Sequence, residues 1–467
     1  MIRRVQAATR GFLILYGAVA VALVYWSVMR APDMLARDDN PRLVEAALRI
    51  ERGRILDRYS VPLAETRGQP GRLERWYATP WSPAVGYYSF RYGVAGIEST
   101  YDSVLTGRNG DFWRLWWDEL LHRQPGGRDV RLSLDSSLQL AADLALGGRK
   151  GAVVVLDALS GDILALVSHP TFEPSRLDEQ FGQLRADPDS PLLNRATQGL
   201  YQPGTALQPF LYSLGLEQRL VSAGTLSLQA GLPVPVGSFS VECVDLPEDE
   251  VTVVQAMAYG CPEPFRRLGE RLGPVGLVMG LKNMGFYDFP AIPLPSAPAA
   301  GLSTPGSEEE LLAEVMGQGS LVVTPLQMAW AVTTLANDGT RPAVRLVLHV
   351  GGDQGGWEIV VASAEQAHAA ISPETIALVT EAMVQEVKVG AARSAGSPHV
   401  MVAGHVGRAV TGPDEEDRSW FIGFAPAYAP SPLARFAVAV LLEDTGDVDQ
   451  AASIGRAVLE SAATAGR

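Results

Sequence analysis

Cysteine, histidine and net positive charge are all scarce in this chain, and each scarcity removes a class of function. Two cysteines and six histidines are spread over 467 residues without the clustered spacing of a metal site, so no metal centre and no cofactor are expected. Lys and Arg number 38 against 52 Asp and Glu, a net charge of −14, which leaves no basic footprint for nucleic acid. Charged residues make up 19% of the chain and hydrophobic ones 47%, a balance that excludes disorder and suits a large globular domain with a smaller one. No internal repeat or extended low-complexity tract occurs, and 47 Gly with 32 Pro point to many turns.

What is present begins with an apolar run. Gly11 to Met29 contains no Asp, Glu, Lys, Arg or His. At ~1.5 Å rise per residue it approaches the ~30 Å hydrocarbon core of a bilayer, so a single membrane span is expected. Arg3, Arg4 and Arg10 precede it, whereas Asp33, Asp38 and Asp39 dilute Arg30 and Arg37 after it. This asymmetry leaves the N-terminus in the cytoplasm and the rest of the chain outside, anchored in the plasma membrane. A cleaved signal peptide is the alternative, though its apolar core is usually shorter. The expected organisation is a cytoplasmic tail (1–10), an anchor (11–29), a small domain (30–130) and a large domain (131–467).

Cys243 and Cys261 fall in the extracytoplasmic part, where either a disulfide or two buried thiols can exist; sequence does not give the Cα separation that decides. Phe112 to Leu121 concentrates three tryptophans on a short amphipathic helix, read as packing between the domains or as contact with a bilayer or partner. Arg131 to Gln139 alternates as a strand and then turns helical at Leu138 to Leu146, with Asp135 or Ser136 as N-cap. Gly151 to Asp157 and Asp162 to Val167 read as a hairpin.

The motifs that carry identity are longer. Arg52-Gly-Arg-Ile-Leu-Asp-Arg-Tyr-Ser-Val-Pro-Leu-Ala64, and Gly96-Ile-Glu98 with Tyr101, Leu105, Gly107 and Gly110, resemble two segments that class B penicillin-binding proteins carry near the membrane. Leu156-Asp-Ala-Leu-Ser-Gly-Asp-Ile-Leu-Ala165, Gly317-Gln-Gly319, Thr324-Pro-Leu-Gln327 and the strand-like runs Trp420 to Pro426 and Phe436 to Glu443 are similar to that family's transpeptidase domain. The resemblance covers nearly the whole chain after the apolar run. It implies an α+β fold of the penicillin-binding and serine β-lactamase type, an antiparallel sheet flanked by helices with a cleft at the sheet edge.

That family attacks a peptide carbonyl with the serine of Ser-x-x-Lys, assisted by Ser-x-Asn and Lys-Thr-Gly. Here the first motif falls in Tyr201-Gln-Pro-Gly-Thr-Ala-Leu-Gln208, so that Thr205 stands for serine and Gln208 for lysine. Threonine keeps the hydroxyl but adds a methyl group that restricts χ1. The Gln208 amide has no basic nitrogen to take a proton. At the second motif Gly260-Cys-Pro262 removes both functional side chains, and Glu263 beside it reads as a solvated loop residue. At the third, His405-Val406-Gly407-Arg408 stands for Lys-Thr-Gly-Thr, keeping only the glycine.

The resemblance therefore implies a membrane-anchored homologue without catalysis, a structural or regulatory partner in peptidoglycan synthesis beside a polytopic SEDS-type glycosyltransferase. The alternative is a penicillin-binding D,D-transpeptidase with Thr205 as nucleophile. A Thr205–His405 dyad is its one conceivable activation, but no residue identifiable in sequence orients the imidazole. A peptidoglycan stem peptide or a β-lactam is the expected kind of cleft occupant, and Arg408 has two readings, a ligand for a stem-peptide carboxylate and an ion-pair partner of the acidic run Asp414 to Asp417.

Overall fold

The computed structural model describes residues 2–26, 50–69, 72–78, 82–109, 121, 126–245, 250–352, 355–361, 368–411, 417–428 and 435–465. The chain opens with helix α1 (Ile2–Val24), whose apolar side chains from Phe12 to Val24 are exposed. Among the described residues no helix is long and apolar enough to cross a membrane, and the last three positions of the expected span, 27–29, lie outside them. The expected tryptophan-rich helix also lies outside, apart from residue 121.

Three short strands follow, β1 (Ile55–Leu56), β2 (Pro62–Gln69) and β3 (Arg72–Tyr77), and then β4 (Val130–Leu132). The two membrane-proximal motifs meet at a buried ion cluster. Arg52 binds Glu98 at 2.9 Å and Asp102 at 2.7 Å, while Arg75 binds the other Glu98 oxygen at 2.6 Å. Glu98 is wholly buried, and burying a carboxylate without such partners is costly. Asp57 of the first motif accepts hydrogen bonds from the backbone N–H groups of Tyr59 and Val61 and from the Ser136 hydroxyl, which ties its turn to the large domain.

Helix α2 (Ser136–Leu146) starts at Asp135, whose carboxylate accepts from the N–H groups of Ser137 and Leu138. The hairpin follows as β5 (Gly151–Asp157) and β6 (Ile163–His169), paired antiparallel. Helices α3 (Gln208–Glu217), α4 (Glu263–Asn283, interrupted at Gly273) and α5 (Pro325–Ala336) come next. Strands β7 (Val347–Gly351) and β8 (Trp357–Ile359) lead to helix α6 (Pro373–Val389). The chain closes with β9 (Ala403–Ala409), β10 (Arg418–Ala425), β11 (Phe436–Leu442) and helix α7 (Val448–Ala465).

Two sheets organise these elements. The larger domain is built on a five-stranded antiparallel sheet in the order β9-β10-β11-β5-β6. Its strands read as continuous apolar runs because both faces are covered. Val153, Val155 and Val440 pack with α2 and α7, whereas Val154, Leu156 and Ala439 pack with α5, so neighbouring residues of one strand serve different cores. The second sheet has six strands in the order β8-β7-β4-β1-β2-β3, with β1 and β4 parallel. It joins strands on both sides of residue 130 through hydrogen bonds.

Cys243 and Cys261 are joined by a disulfide, their Cα atoms 4.1 Å apart, which resolves the two sequence readings.

Candidate functional site

The three segments expected to hold the motifs converge near the edge of β9. The Pro-Gly turn ahead of α3 forms a short 3₁₀ turn, Gly204–Leu207, which lies directly against that edge. Two glycines permit the approach. A Cβ at Gly407 would stand 2.2 Å from the Ala206 nitrogen, and one at Gly204, whose φ is +56°, would stand 2.2 Å from the Arg408 oxygen.

Thr205 is 4% exposed, and its Oγ1 accepts a hydrogen bond from the Arg408 N–H at 2.9 Å. That partner is a donor. Among the described residues no side chain accepts the Thr205 proton. Gln208, 2% exposed and one turn further on, donates its amide to the Cys261 carbonyl at 3.2 Å, and its Oε1 is buried without a partner. The first motif is thus fastened to the second by a neutral hydrogen bond.

The second motif is a loop fixed at Cys261 by the disulfide. Gly260 has φ +65°, and a Cβ there would meet the Val244 side chain at 2.8 Å, so a serine would be strained by both backbone and neighbour. Pro262 precedes the first turn of α4. Glu263 is not the solvated loop residue expected from sequence. It is 5% exposed and paired with Arg266 at 2.7 Å and Arg267 at 2.9 Å, three and four residues along the same helix, and those charges permit its burial.

The third motif departs most from expectation. His405 is wholly buried, and an orienting group exists: Nδ1 lies 2.7 Å from Oε2 of Glu386 on α6, itself wholly buried. The other ring nitrogen, Nε2, is 2.9 Å from the backbone oxygen of Thr205, not from its hydroxyl. A carbonyl only accepts, so Nε2 carries hydrogen and is not available as a base toward Thr205. Burial raises the Glu386 carboxyl above its ordinary value, with the His405 ring opposing the shift, and one proton lies between Oε2 and Nδ1. Glu386 was not singled out from sequence. In the sequence it is one of several charged positions on an amphipathic helix, beside Glu374, Glu381 and Lys388.

Val406 turns its side chain into the core shared with α2 and α7, while its N–H donates to Glu386 Oε1 at 3.0 Å. The Gln318 amide, assigned so that both its atoms are satisfied, accepts from Val410 N–H at 2.9 Å and donates to Val410 O at 3.0 Å. Outward backbone groups at 406, 408 and 410 are therefore engaged by Glu386, Thr205 and Gln318. An extended peptide adding to this edge would meet no free N–H at those positions. Arg408 projects at the rim with Nε 3.6 Å from Asp417, in line with the ion-pair reading; 414–416 lie outside the described residues. Among the described residues no group of His, Cys, Asp and Glu is arranged to hold a metal ion.

Residues 151–460 match the family model described as penicillin binding protein transpeptidase domain, and residues 52–130 match that of the penicillin binding protein A dimerisation domain. The chain is 31% identical to the peptidoglycan D,D-transpeptidase PbpA of Mycolicibacterium smegmatis, over 99% of this chain and 98% of the relative. Its backbone is similar to the crystal structure of PBPA from Mycobacterium tuberculosis, with TM-score 0.78 and 30% identity over 89% of this chain and 99% of that one. It is similar also to the imipenem acyl-enzyme complex of penicillin-binding protein A from M. tuberculosis, with TM-score 0.79 and 30% identity over 90% and 100% of the two chains.

Proposed function

The chain belongs to the class B penicillin-binding protein family, whose role lies in cell-wall synthesis, and from that premise we propose that it is a non-catalytic member, a structural or regulatory partner in peptidoglycan assembly. One observation carries the reading. The hydroxyl at the nucleophile position is hydrogen-bonded to a donor, the Arg408 N–H, and the side chain at the base position is an amide held on the Cys261 carbonyl. Acyl transfer needs a group that removes the nucleophile's proton as the bond to carbon forms. His405 does not replace it, since its Nε2 hydrogen is directed to the Thr205 carbonyl.

The exposed apolar side chains of α1 support a single-pass anchor in the plasma membrane with the main domains outside. The partner that fits such a protein is a polytopic SEDS-type glycosyltransferase, contacted through the anchor and the small domain. A pull-down of the intact chain, repeated without residues 1–110, retains that partner only when the anchor and small domain are present.

Catalytic silence is tested by incubating the protein with penicillin G or imipenem and measuring intact mass. No adduct is expected. A stoichiometric adduct that disappears in Thr205→Ala refutes the proposal in favour of a transpeptidase with a threonine nucleophile.

A further inference from the structure

The six-stranded sheet carries a second cluster, away from the motif residues. Arg131 on β4 is paired with His349 on β7, and Gly351 of β7 with Trp357 on β8, which brings the three side chains together on one face. The Arg131 guanidinium lies 4.2 Å over the Trp357 ring, and the His349 and Trp357 rings are 6.1 Å apart. Among the described residues Arg131 has no ion-pair or hydrogen-bond partner. Its Nε and the Nδ1 of His349 are both shielded from solvent and unsatisfied.

Among the described residues the neighbouring acids are engaged elsewhere: Asp129 with Arg54 and Asp162 with Arg345, each at 2.7 Å, while Glu358 occupies the alternate face of β8. Burial, aided by the charges of Arg131 and Arg345, holds His349 below its ordinary value, so the ring is neutral. In a chain of net charge −14, an arginine left unpaired beside a desolvated imidazole is a local excess of positive potential with unused donors. One anionic oxygen group between the two side chains satisfies both.

We propose that Arg131, His349 and Trp357 form a binding site for a phosphate group. A carboxylate has two oxygens, and the guanidinium fork engages both. A phosphate has a third that reaches the imidazole at the same time. Ile359, two residues along β8 on the same face and 70% exposed, places apolar surface beside the site, which fits the headgroup phosphate of an amphiphile. Binding takes up a proton, because the anion raises the depressed His349.

The test is isothermal titration of the full chain in detergent with inorganic phosphate and with dihexanoyl-phosphatidic acid, using Arg131→Gln as the reference that removes partition heat. The site predicts binding of both, tighter for the amphiphile, weakened at least about ten-fold in Arg131→Gln. Titration in two buffers of different ionisation heat shows proton uptake that His349→Gln abolishes. Equal affinity for the two ligands assigns free phosphate as the occupant and leaves the site standing. No binding by the wild-type chain, or equal binding by the wild type and Arg131→Gln, overturns it.

Discussion

His405→Ala is expected to destabilise the large domain far more than Glu386→Gln, although the two substitutions break the same pair. Alanine removes both imidazole bonds, leaving the wholly buried Glu386 Oε2 without a partner and the Thr205 oxygen with only the Gln208 N–H. Removing one member of a buried pair costs about 3–5 kcal/mol. On a large domain, about 2 °C per kcal/mol lowers the melting midpoint by about 6–10 °C. Glu386→Gln keeps an oxygen for the Val406 N–H and supplies an amide hydrogen to His405 Nδ1, whose ring still donates Nε2–H to Thr205. Its cost is about 1 kcal/mol, that of one unmatched amide hydrogen. The pH dependence has a fixed sign. The folded carboxyl sits above the ordinary glutamate value of 4.5, so its contribution is full below that value and is lost as pH rises through the raised one. Glu386→Gln has no such proton to lose, and its stability relative to wild type should improve as pH rises from about 4.5. Differential scanning calorimetry at several pH values measures both effects. A midpoint for His405→Ala within about 2 °C of wild type, or one for Glu386→Gln as low as that of His405→Ala, would falsify the pairing described here.

Three further outcomes follow. Replacing both cysteines by alanine opens a crosslink spanning 18 residues and should cost about 3 kcal/mol, read as a lower urea midpoint; an unchanged midpoint contradicts the bond. Arg52→Met leaves the buried Glu98 with one cation fewer and should cost about 3–5 kcal/mol in thermal unfolding, whereas Arg54→Met, which removes an exposed pair, should cost under about 1 kcal/mol; comparable losses would show that burial does not set the difference. Thr205→Ser with Gln208→Lys should still form no penicillin adduct by intact mass, because Gly260, Pro262, His405 and Val406 are unrestored and groups of one catalytic unit are not additive; rapid acylation of this double variant would mean that those positions are dispensable.

Local signals in the sequence carried as far as elements whose form is set locally. The hairpin Gly151–Asp157 and Ile163–His169 was readable because turn residues separate two apolar runs. The start of α2 was readable to within one residue: Asp135 and Ser136 both satisfy N-cap chemistry, and the choice falls to Asp135 because Asp57, 79 residues upstream of Ser136, takes that serine's hydroxyl. Long-range choices were not readable. Glu386 looks like any charged position on an amphipathic helix, and only packing of α6 on β9 places it against His405. Glu263 was misread because its two arginines lie within the next turn of a helix whose start the loop composition concealed. The residues at 205, 208, 260, 262 and 405–408 are visible as letters. The direction of each side chain, which decides what Thr205 and His405 can do, is a tertiary property.

The shared six-stranded sheet has a mechanical consequence. Tension entering the chain ahead of Ile55 runs along β1, whose neighbours β2 and β4 are bonded to it side by side, so their hydrogen bonds are loaded in shear and must fail together instead of one at a time. From Leu132 the chain passes within four residues into α2, which packs on the sheet that carries His405. A pull or twist on the N-terminal side is thereby delivered to the scaffold of the cleft through stiff strands rather than through a slack tether. The fold can thus pass strain from its N-terminal strands to the walls of the cleft, a role that needs no chemistry in the cleft itself.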